Sequence, residues 1–556
     1  MATDQEVAFP KLTAEQIDRL RSWGHVQSAK AGDILFAEGS RDFAFFVVLQ
    51  GEVEILEGFP QNPHIVTVHE PGEFAGDVDL LTGRASLVTA RVRTGGEVLK
   101  LDADALQKVV SELPEISEIL LNAFLMRRAL LIGGDYEGIK IIGSRFSPEA
   151  HRLREFATRN GIPFHWTDVE QDEGAEGILR RFGVTAAETP IVIGRNGERL
   201  KNPSITEFAR HMGFEVSAAP GEVYDLVVVG AGPAGLGAAV YAASEGLNTL
   251  ILDSVAAGGQ AATSSKIENY LGFPTGISGA ELGRDALLQA LKFGAQLSVP
   301  RTVVRLRLDG GDRVVTLEDG TEIRGRTVLV ASGVEYRRLN VARLAEFEGA
   351  GVYYAASEME ARLCDGDEIV IVGGGNSAGQ AAVFLSHRTR RVHMVIRGNN
   401  LAKSMSRYLV ERIGLTENII VHRDTAVSAL DGDERLRAVT LRNSSTGAET
   451  TVPARALFIF IGAVPHTQWL LDCTMLDRKG FVLTGPEIPP EALQSPAWRA
   501  AGRARYFLET SLPGVFAAGD ARSGSVKRVA SAVGEGSMAV TFVHAYLGAS
   551  EERVVA

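Results

Sequence analysis

Cysteine is scarce in this chain, whose 556 residues include only Cys364 and Cys473. Two cysteines cannot form a disulfide framework, which excludes the small secreted scaffolds that depend on one. The longest apolar runs, such as ALFIFIGAV, are too short to cross a bilayer, and the start MATDQEVAFPKL lacks the apolar core of a secretion signal. We therefore expect a cytoplasmic protein without a membrane partner.

An excess of basic residues is also missing. The chain has 57 Lys and Arg against 69 Asp and Glu, which gives a formal net charge of −12. Because nucleic-acid binding requires a concentrated basic surface, this charge argues against a nucleic-acid partner. The hydrophobic and charged fractions, 45% and 23%, are those of an ordinary globular protein. Since the length exceeds what one hydrophobic core organises, several domains are expected.

Two glycine-rich segments of the chain share one design. The first reads DLVVVGAGPAGLGAAVYAASEGLNTLILD: an apolar strand leads into Gly230, Gly232 and Gly235, a helix follows, and a second strand ends at Asp253. In such a βαβ unit the glycines let the backbone approach a pyrophosphate at the helix N-terminus. The residue after the second strand meets the ribose, and an acid there accepts hydrogen bonds from the free diol of FAD or NAD.

The second glycine-rich segment reads DEIVIVGGGNSAGQAAVFLSHRTRRVHMVIR, with Gly373, Gly375 and Ala378 in the same roles. Its second strand ends at Arg397 in place of an acid. A guanidinium suits the 2′-phosphate of NADPH, which it holds by charge-assisted hydrogen bonds. The opposite charges of Asp253 and Arg397 therefore predict that one chain binds both FAD and NADPH.

The first segment of the chain contains short, glycine-punctuated stretches of β-like sequence, followed by a helical tail that begins near Ala103. Their spacing predicts an antiparallel β-roll. Residues 1–135, through FFVVLQGEVEI and FAGDVDLLTGRASLVTA, resemble the cyclic-nucleotide-binding domain. That family holds its ligand with a turn of the type FGELALLxxxPRxAT, in which Glu takes the ribose hydroxyl and Arg the cyclic phosphate.

This chain departs from that turn at both ligand positions. Asp77 stands where the family has Glu, Ser86 falls at the Arg position, and Arg84 comes two residues early. Without that cation, a buried phosphate would lose its strongest partner. We expect a degenerate domain, structural or differently liganded, and retained cyclic-nucleotide binding is the alternative.

The second segment, residues 136–217, reads strand, helix, strand, helix, two strands and helix, with EGAEGILRRFG as its second helix. This order, together with Pro190 before the strand PIVIG, resembles the thioredoxin fold, whose proline at this place is typically cis. In that family a CxxC opens the first helix, whereas here the helix opens with SPEAHRL. Because only a thiolate attacks a disulfide, we expect a packing or docking domain. We expect His151, on this polar helix start, to be a solvated surface residue.

The third segment resembles the low-molecular-weight thioredoxin reductase family over its full length. AAGGQAATSSKIENYLGFP matches the family's flavin loop, and GVFAAGDARSGSVKRVASAVGEGSMAV matches its second flavin motif. The resemblance implies that Gly259, Gln260 and Asn269 face the isoalloxazine and the phosphates, and that Asp520 accepts hydrogen bonds from the ribityl chain. The full predicted FAD set is Gly230, Gly232, Pro233, Ala234, Gly235, Asp253, Gly259, Gln260, Asn269, Gly519, Asp520, Arg528, Val529 and Ala530.

The same resemblance implies that an NADPH domain, residues 336–462, is inserted between two parts of the FAD domain, residues 222–335 and 463–556. Lys403 joins Arg397 where the family usually carries a His-Arg-Arg run, but Gly398 replaces one of those cations, so a modest preference for NADPH over NADH is expected. The predicted NADPH set is Gly373, Gly375, Asn376, Ser377, Ala378, Arg397 and Lys403. No metal is expected.

The predicted fold class is therefore α/β and multidomain. It comprises an N-terminal β-roll with helices, a thioredoxin-like α/β domain, and two Rossmann-like three-layer domains for FAD and NAD(P)H. The family commonly forms homodimers through its FAD domains, so a homodimer is expected.

The main departure from the family lies just before the second glycine-rich segment. Family members read GVSYCATCDG there, and this chain reads GVYYAASEME, so Ala355 and Glu358 occupy the positions of the two cysteines and Met359 that of the acid. Cys364 lies beyond this site without a neighbouring cysteine, and we expect it to fill the core. The route from NADPH through FAD to an internal dithiol is therefore interrupted after the flavin, and no catalytic side chain is predicted.

Three functions are compatible with these residues. The favoured one is an FAD-dependent NAD(P)H oxidoreductase with another acceptor: a quinone, a dye-like molecule, dioxygen or a redox protein such as a ferredoxin. The second is a sensory or scaffolding flavoprotein with little turnover. The third is thioredoxin reductase-type activity on an external dithiol that docks over the flavin.

Overall fold

Six sheets organise the chain in a computed structural model that describes residues 4–60, 63–133, 139–172, 188–194, 198–214, 221–264, 266–433 and 435–555. Within these ranges, no helix is both long enough and apolar enough to traverse a lipid bilayer.

The first sheet is the predicted antiparallel roll. Its strands are β1 (His25–Ala29), β2 (Ile34–Phe36), β3 (Phe45–Glu57), β4 (His64–His69), β5 (Phe74–Ala75) and β6 (Thr89–Leu101). Its helices are α1 (Asp4–Ala8), α2 (Ala14–Arg21), α3 (Asp79–Thr82), α4 (Ala103–Glu112) and α5 (Pro114–Gly133). Strands β3 and β6 pair along most of their length, with β1 on one side and β4 on the other. The fully buried rings of Phe45, Phe74 and Phe124 fix α5 against the roll, with centroids 5.3 to 6.4 Å apart.

The second sheet is mixed and has the order β10-β9-β7-β8. Its elements are β7 (Lys140–Gly143), α6 (Pro148–Arg159), β8 (His165–Asp168), β9 (Ile191–Ile193), β10 (Arg199–Lys201) and α7 (Ile205–His211). Strand β8 runs parallel to β7, whereas β9 and β10 form an antiparallel hairpin beside it. The Thr189–Pro190 peptide bond is cis, as predicted. The predicted helix EGAEGILRRFG lies outside the described residues.

The core of this second sheet connects it to the FAD-binding region. Phe156 of α6 packs against Phe208 of α7 and against Phe214, with ring centroids 5.9 and 5.7 Å apart. Val299, which follows the third sheet's strand at 296–298, is buried in the same cluster. Ser147 caps α6 by accepting a hydrogen bond from the Ala150 N–H, which fixes where this helix begins.

The third sheet carries the first glycine-rich segment. Its elements in this part of the chain are β11 (Val223–Val229), α8 (Pro233–Ser244), β12 (Thr249–Leu252), α9 (Gly279–Lys292), β13 (Gln296–Ser298), β14 (Val303–Asp309), β15 (Asp312–Leu317) and β16 (Glu322–Val330). Strands β13, β12, β11 and β16 are parallel neighbours, so their carboxyl ends lie at one edge. Ligands bind at that edge in open α/β sheets.

A five-stranded sheet follows, in which all strands are parallel and have the order β18-β25-β19-β20-β21. Its strands are β18 (Val352–Tyr353), β19 (Glu368–Val372), β20 (Arg391–Val395), β21 (Ile419–His422) and β25 (Ala456–Ile459), and an antiparallel meander β22 (Thr425–Gly432), β23 (Leu436–Asn443) and β24 (Glu449–Pro453) covers one face. Its helices are α10 (Leu344–Phe347), α11 (Glu358–Leu363), α12 (Asn376–Ser386) and α13 (Arg407–Leu415).

The chain then returns to the third sheet. Strands β17 (Val334–Tyr336) and β26 (Ala463–Pro465) pair antiparallel where the chain leaves that sheet and comes back. Strand β27 (Val515–Ala517) adds parallel to β16, and the last helices are α14 (Pro496–Ala501) and α15 (Val529–Val555). Short 3-10 turns lie at Ala261–Thr263, Leu401–Lys403, Gln468–Leu470, Gly485–Glu487, Pro490–Gln494 and Gly519–Ala521.

Candidate functional site

The turn from β11 into α8, with Gly230, Gly232 and Gly235, is called here the first cradle, and the corresponding turn from β19 into α12, with Gly373 and Gly375, the second cradle. Close backbone contacts explain why the first cradle needs glycine. A Cβ atom on Gly235 would lie 1.9 Å from the Gly230 carbonyl oxygen, and one on Gly230 would lie 2.3 Å from that of Ala331. Gly232 differs, because it caps α8 and a Cβ there would meet nothing nearer than the Gly259 Cα at 3.8 Å. Open space in front of exposed helix N–H groups fits a diphosphate.

Asp253 lies beside this cradle at the carboxyl end of β12. Its Oδ2 accepts a hydrogen bond from the Ala231 N–H at 2.8 Å, and its Oδ1 accepts from Val255 and Ala256 at 2.8 and 3.0 Å. A carboxylate offers about four acceptor positions, so these three bonds orient it and leave room for a ribose hydroxyl.

The predicted flavin loop packs directly against the cradle. Gly259 has a φ of +54°, and a Cβ there would lie 2.8 Å from the Gly232 Cα. The Gln260 side chain donates a hydrogen bond to the Val334 carbonyl oxygen, which ties the loop to β17. Asn269, further along, is exposed to solvent.

The second flavin motif, which begins with β27, also packs against the first cradle. Gly519 has a φ of +73°, and a Cβ on it would lie 2.8 Å from the Ala234 Cβ. Burial raises the pKa of the Asp520 carboxyl, while Lys527 counteracts this shift. Arg528, Val529 and Ala530 open α15 and keep solvent-accessible surface. Pro233 and the buried Ala234 and Gly235 form the first turn of α8, so Gly259 and Gly519, from separate parts of the chain, meet the first cradle at one sheet edge.

The second cradle repeats the geometry of the first. Gly373 has a φ of +146°, and a Cβ there would lie 2.3 Å from the Phe460 carbonyl oxygen. Gly375 caps α12, and a Cβ on it would have nothing within 4 Å. Asn376 and the exposed Ser377 begin the helix, and the buried Ala378 packs against the sheet.

A loop is held beside this second cradle by two hydrogen bonds. The Ser404 hydroxyl donates to the Gly374 carbonyl at 2.8 Å, and the Ser406 N–H donates to the Asn376 side chain at 2.7 Å. Lys403 on this loop and Arg397 beyond β20 are both exposed, and neither forms an ion pair within the described ranges. Two such cations beside a helix N-terminus fit a 2′-phosphate.

The positions of the missing dithiol lie at the flavin loop. Ala356 forms a parallel bridge with Ser264, which brings Ala355 and Glu358 next to that loop. The Glu358 side chain is 57% exposed and pairs with Arg388 at 3.0 Å. No thiol therefore stands at either position.

The two cysteines lie elsewhere and are both free. Cys364 is fully buried in the hydrophobic core beside β19, as predicted, and burial raises the pKa of its thiol to about 12. Burial likewise raises the pKa of the Cys473 thiol to about 11. A thiol with so high a pKa has almost no nucleophilic thiolate near neutral pH. In the described residues, no group of three or more His, Cys, Asp or Glu could hold a metal ion.

The prediction that His151 is solvated is wrong. Its side chain is 13% exposed and lies 3.8 Å from the Glu360 carboxylate, and its ring packs against Tyr353 with centroids 5.5 Å apart. Burial lowers the pKa of His151, which Glu360 partly counteracts. The helix start looked polar in sequence, but another domain covers it.

The residues aligned with the cyclic-nucleotide turn interact with other residues of this chain. Arg128 lies 3.3 Å from Asp77, and burial together with Asp79 raises the pKa of Asp77 to about 6. The Ser86 hydroxyl donates to the Val88 carbonyl, and the Arg84 guanidinium stacks on Phe214 and donates to the Asn160 carbonyl. Both of these aligned residues therefore have partners within the chain.

Two sheets with parallel strands, each ending in a glycine cradle, are typical of α/β flavoproteins that bind two dinucleotides. The Pyridine nucleotide-disulphide oxidoreductase model matches residues 224–536, and the Cyclic nucleotide-binding domain model matches residues 26–112. The chain belongs to the pyridine nucleotide-disulphide oxidoreductase family. It is 33% identical over 330 residues to the thioredoxin reductase of Treponema pallidum, a match that covers 58% of this chain and 97% of that one.

Solved structures agree with this assignment. Thioredoxin reductase from Lactococcus lactis in its FR conformation matches with a TM-score of 0.52 at 26% identity, over 58% of this chain and 98% of that one. Thioredoxin reductase from T. acidophilum matches with a TM-score of 0.51 at 29% identity, over 58% and 99%. These comparisons confirm the predicted α/β multidomain fold, the thioredoxin reductase-like flavoprotein and the N-terminal cyclic-nucleotide-binding domain, and with them FAD and NADPH as cofactors.

Filling the second cradle should block NADPH without disturbing the fold. Gly375 has an ordinary φ of −94° and free space around it, so Gly375→Leu places its side chain where the diphosphate would lie. We expect NADP⁺ affinity, measured by calorimetry on the full chain, to fall more than about tenfold while FAD stays bound. Gly414→Leu, at another open glycine of this domain, is the matched control. Equal affinities in the two variants would contradict the cradle.

Removing the cation at the end of β20 should affect the two nicotinamide cofactors differently. With Arg397→Ala, the concentration of NADPH needed for half-maximal anaerobic flavin reduction should rise about tenfold, the effect of losing one hydrogen bond to a charged group. The value for NADH should hardly change. Arg407→Ala, at a side chain that is 92% exposed, is the control. Equal changes for both cofactors would mean that Arg397 does not contact the 2′-phosphate.

Proposed function

We propose that this protein is an FAD-dependent NADPH oxidoreductase whose electrons pass to an acceptor other than an internal disulfide. The observation that carries the proposal is the pairing of Ser264 with Ala356, which puts the thiol-free positions Ala355 and Glu358 beside the flavin loop. When bound, FAD would supply two-electron chemistry with NADPH, and this chain would supply binding and orientation.

In this proposal the first cradle holds FAD. Gly230, Gly232 and Gly235 let the diphosphate approach the N-terminus of α8, and Asp253 accepts from the ribose. Asp520 meets the ribityl chain. The remaining predicted residues at the flavin are Pro233, Ala234, Gly259, Gln260, Asn269, Gly519, Arg528, Val529 and Ala530.

The second cradle holds NADPH. Gly373, Gly375 and the first turn of α12 would take its diphosphate, and the exposed cations Arg397 and Lys403 would take its 2′-phosphate. Retention of these cations supports turnover over a passive scaffold, because a scaffold has no need to select NADPH. The antiparallel pair of β17 and β26 connects the two nucleotide domains, and a hinge motion between these domains would occur there.

The proposed domain bounds are those expected from the sequence, and the division of the strands into separate sheets supports them. We infer a cyclic-nucleotide-binding-like domain at 1–135, a thioredoxin-like domain at 136–217, an FAD domain at 222–335 and 463–556, and an NADPH domain at 336–462. The mixed sheet order β10-β9-β7-β8 supports the second of these. The free thiols of both cysteines support a reducing compartment such as the cytoplasm. A homodimer remains a prediction.

Anaerobic addition of NADPH to the purified holoprotein tests the proposal. We expect the yellow flavin absorption to bleach within seconds, because both glycine-rich cradles and the cations Arg397 and Lys403 are retained. Oxidised thioredoxin added afterwards should not be reduced faster than in a flavin-free control, since neither Ala355 nor Glu358 can carry electrons to it.

Each contrary result has a definite meaning. An absence of bleaching over minutes would contradict the oxidoreductase and favour the sensory function. Reduction of thioredoxin above the control would contradict the non-disulfide acceptor and favour the external-dithiol function. A screen of quinones, dyes and ferredoxins under NADPH then identifies the acceptor.

A further inference from the structure

Helix α6 of the second domain contacts both nucleotide domains. At its N-terminal end, a Cβ on Gly349 would lie 3.0 Å from the Pro148 Cα, and His151 packs against Tyr353. The Phe146 ring just before the helix lies under the guanidinium groups of Arg435 and Arg455, each about 5.0 Å from the ring centroid. These contacts fix one end of α6 to the NADPH domain.

The other end of α6 reaches the flavin loop. The Arg159 guanidinium donates a hydrogen bond to the Gly259 carbonyl oxygen at 2.9 Å. The next residue, Asn160, donates from its side chain to the Val255 carbonyl at 3.0 Å. Val255 lies between Asp253 and the flavin loop, and Gly259 lies in that loop, so the second domain binds this part of the chain at two points.

Arg159 is also close to the polar groups that surround the predicted flavin position. Its side chain is 18% exposed and lies 3.6 Å from Glu155, and its Nε is buried without a hydrogen-bond partner in the described part of the chain. Burial raises the pKa of the Tyr336 hydroxyl at the end of β17, and the Thr263 side chain and the Arg159 charge partly counteract that shift.

The Arg159 contact acts at a sensitive place in the loop. Gly259 has a left-handed backbone, and its Cα packs against the Gly232 cradle with no space for a side chain. A donor on the Gly259 carbonyl fixes the orientation of that peptide unit, and with it the position of Gln260. Such a bond is stronger than a neutral one, because the donor is a cation.

We propose that the thiol-free second domain is a structural part of the flavin site, and that its Arg159 is a positioning residue that holds the flavin loop in its FAD-binding conformation through the Gly259 carbonyl. The domain then contributes to the reaction without any redox chemistry of its own. The inference depends on the FAD site and not on the identity of the acceptor.

FAD release from the full-length holoprotein tests this role. Wild type, Arg159→Ala, Arg159→Lys and Arg152→Ala are diluted, and released FAD is measured by its fluorescence. We expect Arg159→Ala to raise the FAD dissociation constant about tenfold or more and to change the visible absorption fine structure of the flavin that stays bound. Arg159→Lys, which keeps a cationic donor, should restore most of the affinity. Arg152→Ala, on the same helix but with a side chain that is 63% exposed, should match wild type.

The inference is overturned if Arg159→Ala retains wild-type affinity and spectrum, or if Arg159→Lys is as weak as Arg159→Ala. Should Arg159→Ala fail to fold, Arg159→Met takes its place, since it keeps an unbranched side chain but removes the donor, and the same comparison with lysine applies. Because release is measured without NADPH or an acceptor, these results stand apart from those of the NADPH bleaching experiment.

Discussion

Close approach of backbone to backbone at two helix N-termini is the constraint on which the nucleotide sites depend. Gly235 against Gly230 in the first cradle, and Gly373 against Phe460 in the second, leave less than 2.5 Å for any added Cβ atom. Gly232 and Gly375 at the helix caps instead face open space. The close contacts set each helix against its sheet, and the open caps leave helix N–H groups free for a diphosphate.

The flavin loop connects these cradles to the rest of the molecule. It touches the first cradle through Gly259, the segment of the missing dithiol through Ser264, and the second domain through Arg159. Here the neighbouring side chains are those of Ala355 and an exposed Glu358, so the loop retains its packing role while the sulfur chemistry is absent.

The sequence predicted what is local and not what depends on another domain. Both cradles, the strand order of the second sheet and the cis bond before Pro190 follow from short patterns of glycine, proline and apolar residues. His151 was misjudged, because its burial comes from Tyr353 and Glu360, about two hundred positions away along the chain. Arg159 gave no signal at all, since an arginine at the end of an amphipathic helix looks like a surface charge until the partner carbonyl of Gly259 is known.

An anaerobic reductive titration that counts electrons per bound FAD tests the central claim most directly. A flavin with no internal thiol partner takes up two electrons, because the buried Cys364 and the partly buried Cys473 lie in different hydrophobic cores and cannot form a disulfide with each other. The account predicts that two electrons complete the reduction of each chain. Uptake of four electrons, with a second redox centre that titrates beside the flavin, would contradict it.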